Sequence, residues 1–180
     1  MNYSDVLHFW FVELQPKDWF TKNADVDARM RERFFDLHQE IVHGEHQDWK
    51  TTAEGVLAYV IVLDQFSRNL FRGNAKSFQN DEQALAAAKY AIAIGLDTEL
   101  PPKQRPFLYM PYMHSESRDV HEKALALFHA LGNDQNLQYE ILHKKIIDRF
   151  GRYPHRNTIL GRETTEAEQE FLDAEEHASF

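Results

Sequence analysis

The sequence has no cysteine. That excludes a disulfide framework, a thiolate metal site and a cysteine nucleophile. It also has no long apolar run. The longest, Gly55–Leu63 (GVLAYVIVL), falls far short of the roughly 20 residues that span a bilayer. No Lys or Arg precedes Lys17, so the charged start of a secretory signal is missing, and a cytoplasmic protein is expected. Cations are scarce: 20 Lys+Arg stand against 29 Asp+Glu, a net charge of −9. That balance argues against nucleic acid or a membrane surface as partner.

What is present is a 180-residue chain, 43% hydrophobic, with 13 Phe, 7 Tyr and 3 Trp. The length and apolar content fit one domain spanning residues 1–180. Apolar residues recur at helical spacing along most of it. Val6, Leu7, Trp10, Phe11 and Leu14 form one stripe, with Ser4 as its expected cap and Pro16 as its stop. Val26, Met30, Phe34, Leu37 and Ile41 form a second, ending at Gly44. Thr51-x-x-Glu54 reads as a capping box for a helix over about 52–71. Its stretch Val56–Leu63 is apolar on every face and so belongs at the centre of a core.

Further helices are expected over about 81–94, 102–115 (with Pro111 inside), 118–131 and 135–150, and a short one after Thr165-x-x-Glu168. Only the segment 151–163 lacks periodicity. The fold class is therefore all-α, seven to eight helices with short connections and antiparallel neighbours. Gly95 and Gly132, each closing an Ala-rich stretch, lie near the roughly 34-residue spacing of tetratricopeptide repeats, but the residues between do not match that repeat.

Two polar strings stand out. Asp64-Gln-Phe-Ser-Arg-Asn-Leu-Phe-Arg72 ends the most apolar helix. Asp64 and Arg68 share a face at i, i+4, and so do Arg68 and Arg72, which stacks two like charges unless a carboxylate or an anion lies between them. The second string is Gly151-Arg-Tyr-Pro-His-Arg-Asn157. It lies in the segment 143–163, where six Lys/Arg face two acidic residues. Such an island in an acidic chain suits convergence of guanidinium groups on a phosphate or carboxylate, or pairing with the acidic remainder. The arginines around His155 favour its neutral form, as a general base requires. His114 and Glu116, two apart, can reach one site only where their helix has ended. With His143 or His155 they could offer His and carboxylate ligands, but no HExxH-like spacing exists, so no metal and no cofactor are expected. His43 and His46 read as a solvated helix end.

Several strings together resemble a known family: Val6–Phe11 with Trp19-Phe20, Leu63–Gly73, Leu108–Glu116, and Arg149–Asn157 with Leu160–Arg162. The chain is similar, over nearly its whole length, to the bacterial family of domain of unknown function 924. The resemblance implies a tetratricopeptide-like helical fold and carries no activity with it. The family pattern often has Pro where Ser67 stands and an acidic residue where Ser117 stands.

Two functions from different classes fit these residues. In the first, a small anionic metabolite binds at a site lined by Asp64, Arg68, Asn69, Arg72, His114, Glu116, Arg152, Arg156 and Asn157. His155 is the acid–base residue there if a group is hydrolysed or transferred. This reading expects the segment 151–163 to dock over the end of the apolar helix. In the second, the protein is an interaction scaffold that binds a protein or peptide without catalysis.

Overall fold

The computed structural model describes residues 1–174, and among these every regular element is helical. The chain divides into two compact units. One comprises Met1–Arg72 and Lys76–Pro111; the other comprises Gly73–Ala75 and, among the described residues, 112–174.

The first unit contains α1 (Tyr3–His8), α2 (Pro16–Phe20), α3 (Ala24–Val42), α4 (Ala53–Ile61), α5 (Ser67–Leu70) and α6 (Asp81–Ala93). It also holds the start of α7 (Arg105–Met113), and the division falls after Pro111 within that helix. α4 begins where Thr52 Oγ1 accepts the N–H of Gly55. The cap is thus Thr52 rather than Thr51, which closes a preceding 3₁₀ turn, Gln47–Thr51. Gly55 explains how tightly that turn packs. A Cβ there would overlap the carbonyl oxygen of Trp49 and lie 2.8 Å from Thr52 Oγ1.

α4 passes into α5 through a π-type turn, Val62–Phe66, with helical backbone at both junctions. The result is one continuous rod, as the apolar run implied. Every residue from Gly55 to Ser67 is buried. Around it lie Val6 and Phe9, the α3 stripe Met30, Phe34, Leu37 and Ile41, and the α6 residues Ala84, Ala88 and Ala91.

The first stripe departs from expectation. Asn2, not Ser4, caps α1, in a reciprocal box with Asp5. A second π-type turn, Phe9–Glu13, follows α1, and Pro16 opens α2 instead of only ending a helix. Proline at a first helical position sacrifices no hydrogen bond, so one residue serves both ends.

The second unit contains the end of α7, α8 (Arg118–Leu131), α9 (Asp134–Phe150), α10 (Asn157–Leu160) and α11 (Glu166–Asp173). Only Gly132 and Asn133 separate α8 from α9. Gly132 takes a left-handed φ of +71°, and Asn133 caps α9 through the N–H of Asn136. The two helices pack together. Ile146, Ile147 and the fully buried Tyr153 form a core closed by Phe150 and Phe171. The box at Thr165 and Glu168 is present in both directions. The segment 151–163, which showed no periodicity, holds a 3₁₀ turn, Pro154–Arg156, followed by α10. Elements that short cannot show a hydrophobic period.

Gly55→Ala is expected to lower unfolding stability by about 2 kcal/mol through overpacking, and Thr165→Ala by about 1 kcal/mol through loss of a cap. Urea denaturation measures both. An unchanged midpoint for Gly55→Ala would show that the Trp49 turn can shift aside.

Candidate functional site

In the first unit the polar string at the end of the buried rod is held by carboxylates. Asp64 is wholly buried and accepts from Arg68 at 3.0 Å and from Gln65 Nε2 at 2.6 Å. Arg68 also grips Asp81 with two nitrogens, at 2.9 and 3.1 Å. Arg72 grips Asp27 in the same way, at 2.9 and 3.0 Å, and Asn69 donates to Asp27 at 2.8 Å. The like charges of Arg68 and Arg72 are therefore answered by separate carboxylates, Asp64 and Asp81 for Arg68 and Asp27 for Arg72, and Asn69 shares Asp27 with Arg72.

Nearby, the buried His38 makes a Ser–His contact, with Nε2 2.8 Å from Ser67 Oγ. Gln39 donates to His38 Nδ1 at 3.0 Å, so Nε2 carries the hydrogen and donates to the hydroxyl. Ser67 in turn donates to the Leu63 carbonyl at 2.6 Å. The histidine is a donor here, so it cannot activate the serine as a base.

The second unit brings the remaining expected residues together: His114, Glu116, Arg152, His155, Arg156 and Asn157. The Asp64–Arg72 and Gly151–Asn157 strings lie in different units, and each has its own set of partners. Arg152 binds Glu168 with two nitrogens, at 2.7 and 2.8 Å. Burial opposes ionisation of Glu168, but Arg152 dominates and pulls its pKa down to about 2. Asn157 is buried, donates to Glu168 at 3.1 Å and accepts from Arg162 at 2.9 Å. Glu116 takes two bonds from Arg162, at 2.7 and 3.0 Å, and one from the Tyr153 N–H at 2.7 Å. Burial pushes the Glu116 carboxyl up, but these donors and the charge of Arg156 outweigh it, and the net shift is downward. α7 has indeed ended before His114 and Glu116. Glu116, Ser117, Arg118, Asp119 and Gly151 line an open depression of about 290 Å³.

Tyr153, which the sequence did not single out, organises the histidines. Its hydroxyl donates to the Met113 carbonyl at 2.5 Å. His143 stands edge-on to its ring at 5.7 Å between centroids, and His155 lies tilted on it at 5.4 Å. The Arg156 guanidinium sits over the same ring, 4.7 Å from its centroid, and donates to the His114 carbonyl at 3.0 Å. His114 and His155 are close enough to His143 for their charges to disfavour its protonation, and His114 acts on His155 in the same sense. The rings of His143 on α9 and His155 in the 3₁₀ turn thus pack against one phenol ring, and His114 acts on both through its charge. Desolvation is the main force holding His143 neutral, with a pKa near 3. Desolvation and then Arg156 lower His155 to about 4, although His155 keeps more than a third of its surface open to water.

Behind this face lies a dyad that no spacing along the chain announces. His121 and Glu140, both fully buried on α8 and α9, meet at 2.7 Å. His121 Nε2 faces the Ser115 carbonyl at 2.8 Å and must donate to it, so the Nδ1–Oε1 bond holds one further proton, shared by the pair. Burial raises the Glu140 pKa against the pull of His121. Glu140 Oε2 makes no hydrogen bond among the described residues. Full burial fits this dyad for structural use, because no substrate can touch it.

Among the described residues, potential metal donors gather at Glu40, Glu45 and His46, with ligand atoms within 4.8 Å of one another. None was expected in a site, and His46 is paired with Glu40 at 2.8 Å beside the end of α3.

His38, near 4, His143, near 3, and His155, near 4, all have folded pKa values below the free imidazole value of 6.5. Below pH 6.5 the unfolded chain binds more protons than the folded one, so stability present above that pH is lost as pH falls toward 4. The urea midpoint is expected to drop between pH 7 and pH 5, with His155 contributing least because of its exposure. A flat profile over that window would contradict the burial of His38 and the desolvation of the half-buried His143.

No helix among the described residues is long and apolar enough to cross a membrane. No curated protein matches the chain. A solved structure of a protein of unknown function from Agrobacterium tumefaciens superposes with a TM-score of 0.91 at 38% identity, covering 95% of this chain and 96% of that one. The sequence model of a family described as bacterial protein of unknown function matches residues 6–176. With that match across almost its whole length, the chain belongs to this family, DUF924.

Proposed function

We propose that the second unit binds a small anionic molecule at the face formed by His114, His143, His155 and Arg156. The observation that carries this reading is the gathering of the His143 and His155 rings and the Arg156 guanidinium against the Tyr153 ring, with His114 near enough for its charge to act on both histidines. A guanidinium attracts an oxyanion, and neutral imidazoles can hydrogen-bond to it without adding charge of their own. Arg152 and Glu116 serve as framework in this reading, because each is engaged by an internal partner through two bonds. A neutral His155 takes up a proton more readily than it gives one, so hydrolysis or group transfer at this face would begin with proton removal by an imidazole.

The interaction-scaffold reading draws on a different observation. Arg68, Arg72 and Arg152 are each held by a carboxylate, while Val12, Phe20, Tyr90 and Ile94 are exposed.

Calorimetric titration with inorganic phosphate tests the first reading. Wild type is expected to bind. His155→Ala, at an exposed position, is expected to keep the fold and weaken binding about tenfold, the loss of one good ligand hydrogen bond. Absence of phosphate binding by wild type would shift the balance to the scaffold.

A further inference from the structure

We propose that the pairing of α8 with α9 is a base-sensitive latch, in which Glu140 is kept as a neutral carboxylic acid that donates its hydrogen to His121. The partners dictate where the hydrogens sit. His121 Nε2 lies 2.8 Å from the Ser115 carbonyl and 3.3 Å from the Tyr153 hydroxyl oxygen. A carbonyl can only accept, and the Tyr153 hydroxyl gives its own hydrogen to the Met113 carbonyl. Nε2 therefore carries a hydrogen. One more proton lies in the 2.7 Å bond between Nδ1 and Glu140 Oε1. On the imidazole it makes an ion pair; on the carboxyl it leaves both groups neutral.

Two observations select the neutral pair. Both side chains are wholly buried, and a buried ion pair is stable only when the remaining lone pairs of its carboxylate are satisfied as well. Glu140 Oε2 accepts no hydrogen bond among the described residues. As a carboxylate, Glu140 would leave much of its charge on that unpartnered oxygen; as an acid, the same atom is an uncharged carbonyl oxygen. The second observation is the charge around the pair. Lys144, one turn further along α9, favours the Glu140 anion. Its ammonium is already held 2.8 Å from Glu122 on α8 and 2.8 Å from Asp148 on α9, so this cluster is net negative. The other titratable neighbours are His143 on α9, which stays neutral, and the Tyr153 phenol, which keeps its hydrogen for Met113. Burial raising the Glu140 carboxyl agrees with both.

The folded pair holds two protons, one on Nε2 and one between the partners. In the unfolded chain a carboxyl of this type ionises near 4.5 and an imidazole near 6.5. Between those values the unfolded pair also holds two protons, both on the imidazole, and the pair favours folding most. Above pH 6.5 the unfolded pair keeps a single proton, so unfolding releases the other. Each further pH unit then lowers the folding equilibrium constant about tenfold, until the folded pair itself ionises and a buried negative charge pushes α8 and α9 apart. His38, His143 and His155 are neutral in both states above pH 6.5 and add nothing to this alkaline slope.

Urea unfolding of the intact protein between pH 7 and pH 9 tests the latch. Glu140→Gln copies the neutral acid: its amide N–H can donate to Nδ1, its carbonyl takes the place of Oε2, and it has no proton to lose. Wild type is expected to lose about tenfold in its folding constant per pH unit, and Glu140→Gln about twofold or less. A wild-type slope no steeper than that of Glu140→Gln would overturn the latch. Histidine nitrogen NMR of wild type at pH 8 locates the proton, and it decides alone should Glu140→Gln not fold. A hydrogen on Nε2 of His121 and none on Nδ1 supports the neutral acid. Hydrogens on both nitrogens would mean an ion pair and would overturn it.

Discussion

The complete burial of one rod, Gly55 to Ser67, constrains the rest of the first unit. An apolar helix can be buried all round, but this one carries Asp64 and Ser67 inside and ends in Arg68, Asn69 and Arg72. Buried polar groups are costly without partners, and a buried charge is costlier still. Asp64 is answered by Arg68. The second half of the Arg68 guanidinium is answered by Asp81, at the start of α6. Asp27, in the first turn of α3, takes Arg72 and Asn69 together. Packing the rod therefore fixes where two neighbouring helices begin. Asp27 and Asp81 also sit in first turns, where negative charge is favoured.

Those pairings show which parts of the fold a sequence discloses. Periodicity and caps lie within a few residues of each other, so α3, α6, α8, α9 and α11 could be read almost to their ends. The errors were local rivalries. Asn2 outcompeted Ser4, and Thr52 outcompeted Thr51, because side-chain oxygens one or two residues apart seek the same N–H groups. The i, i+4 pair of Asp64 and Arg68 was visible for the same reason. Asp27 with Arg72 and Glu116 with Arg162 were not, because partners 45 and 46 residues apart leave no trace in spacing. His121 and Glu140 were silent too, one on each of two facing helices.

The site residues divided along the same line. Residue type brought forward the arginines, but charge alone does not tell a guanidinium that meets a ligand from one that ties two segments together. Most proved to be ties. The neutral state of His155 was anticipated from its arginine neighbours, whereas desolvation proves to be the larger cause. Tyr153 passed unnoticed because its role is geometric. A phenol ring with its edges and a face occupied by imidazoles and a guanidinium looks, in sequence, like any other core aromatic.

Glu168 is at once the reciprocal cap of α11, the partner of Arg152 and an acceptor for Asn157. Removing α11 would thus take the shared carboxylate from a guanidinium and a buried amide in the preceding loop, leaving Arg152 the Glu163 carbonyl and Asn157 the Thr164 hydroxyl. The loop and the last helix share one carboxylate, and neither can open alone without breaking bonds in the other. Their amides should exchange with solvent as a single cooperative unit, so that the segment 151–163, with its one 3₁₀ turn and the short α10, inherits the protection of the helix that follows it.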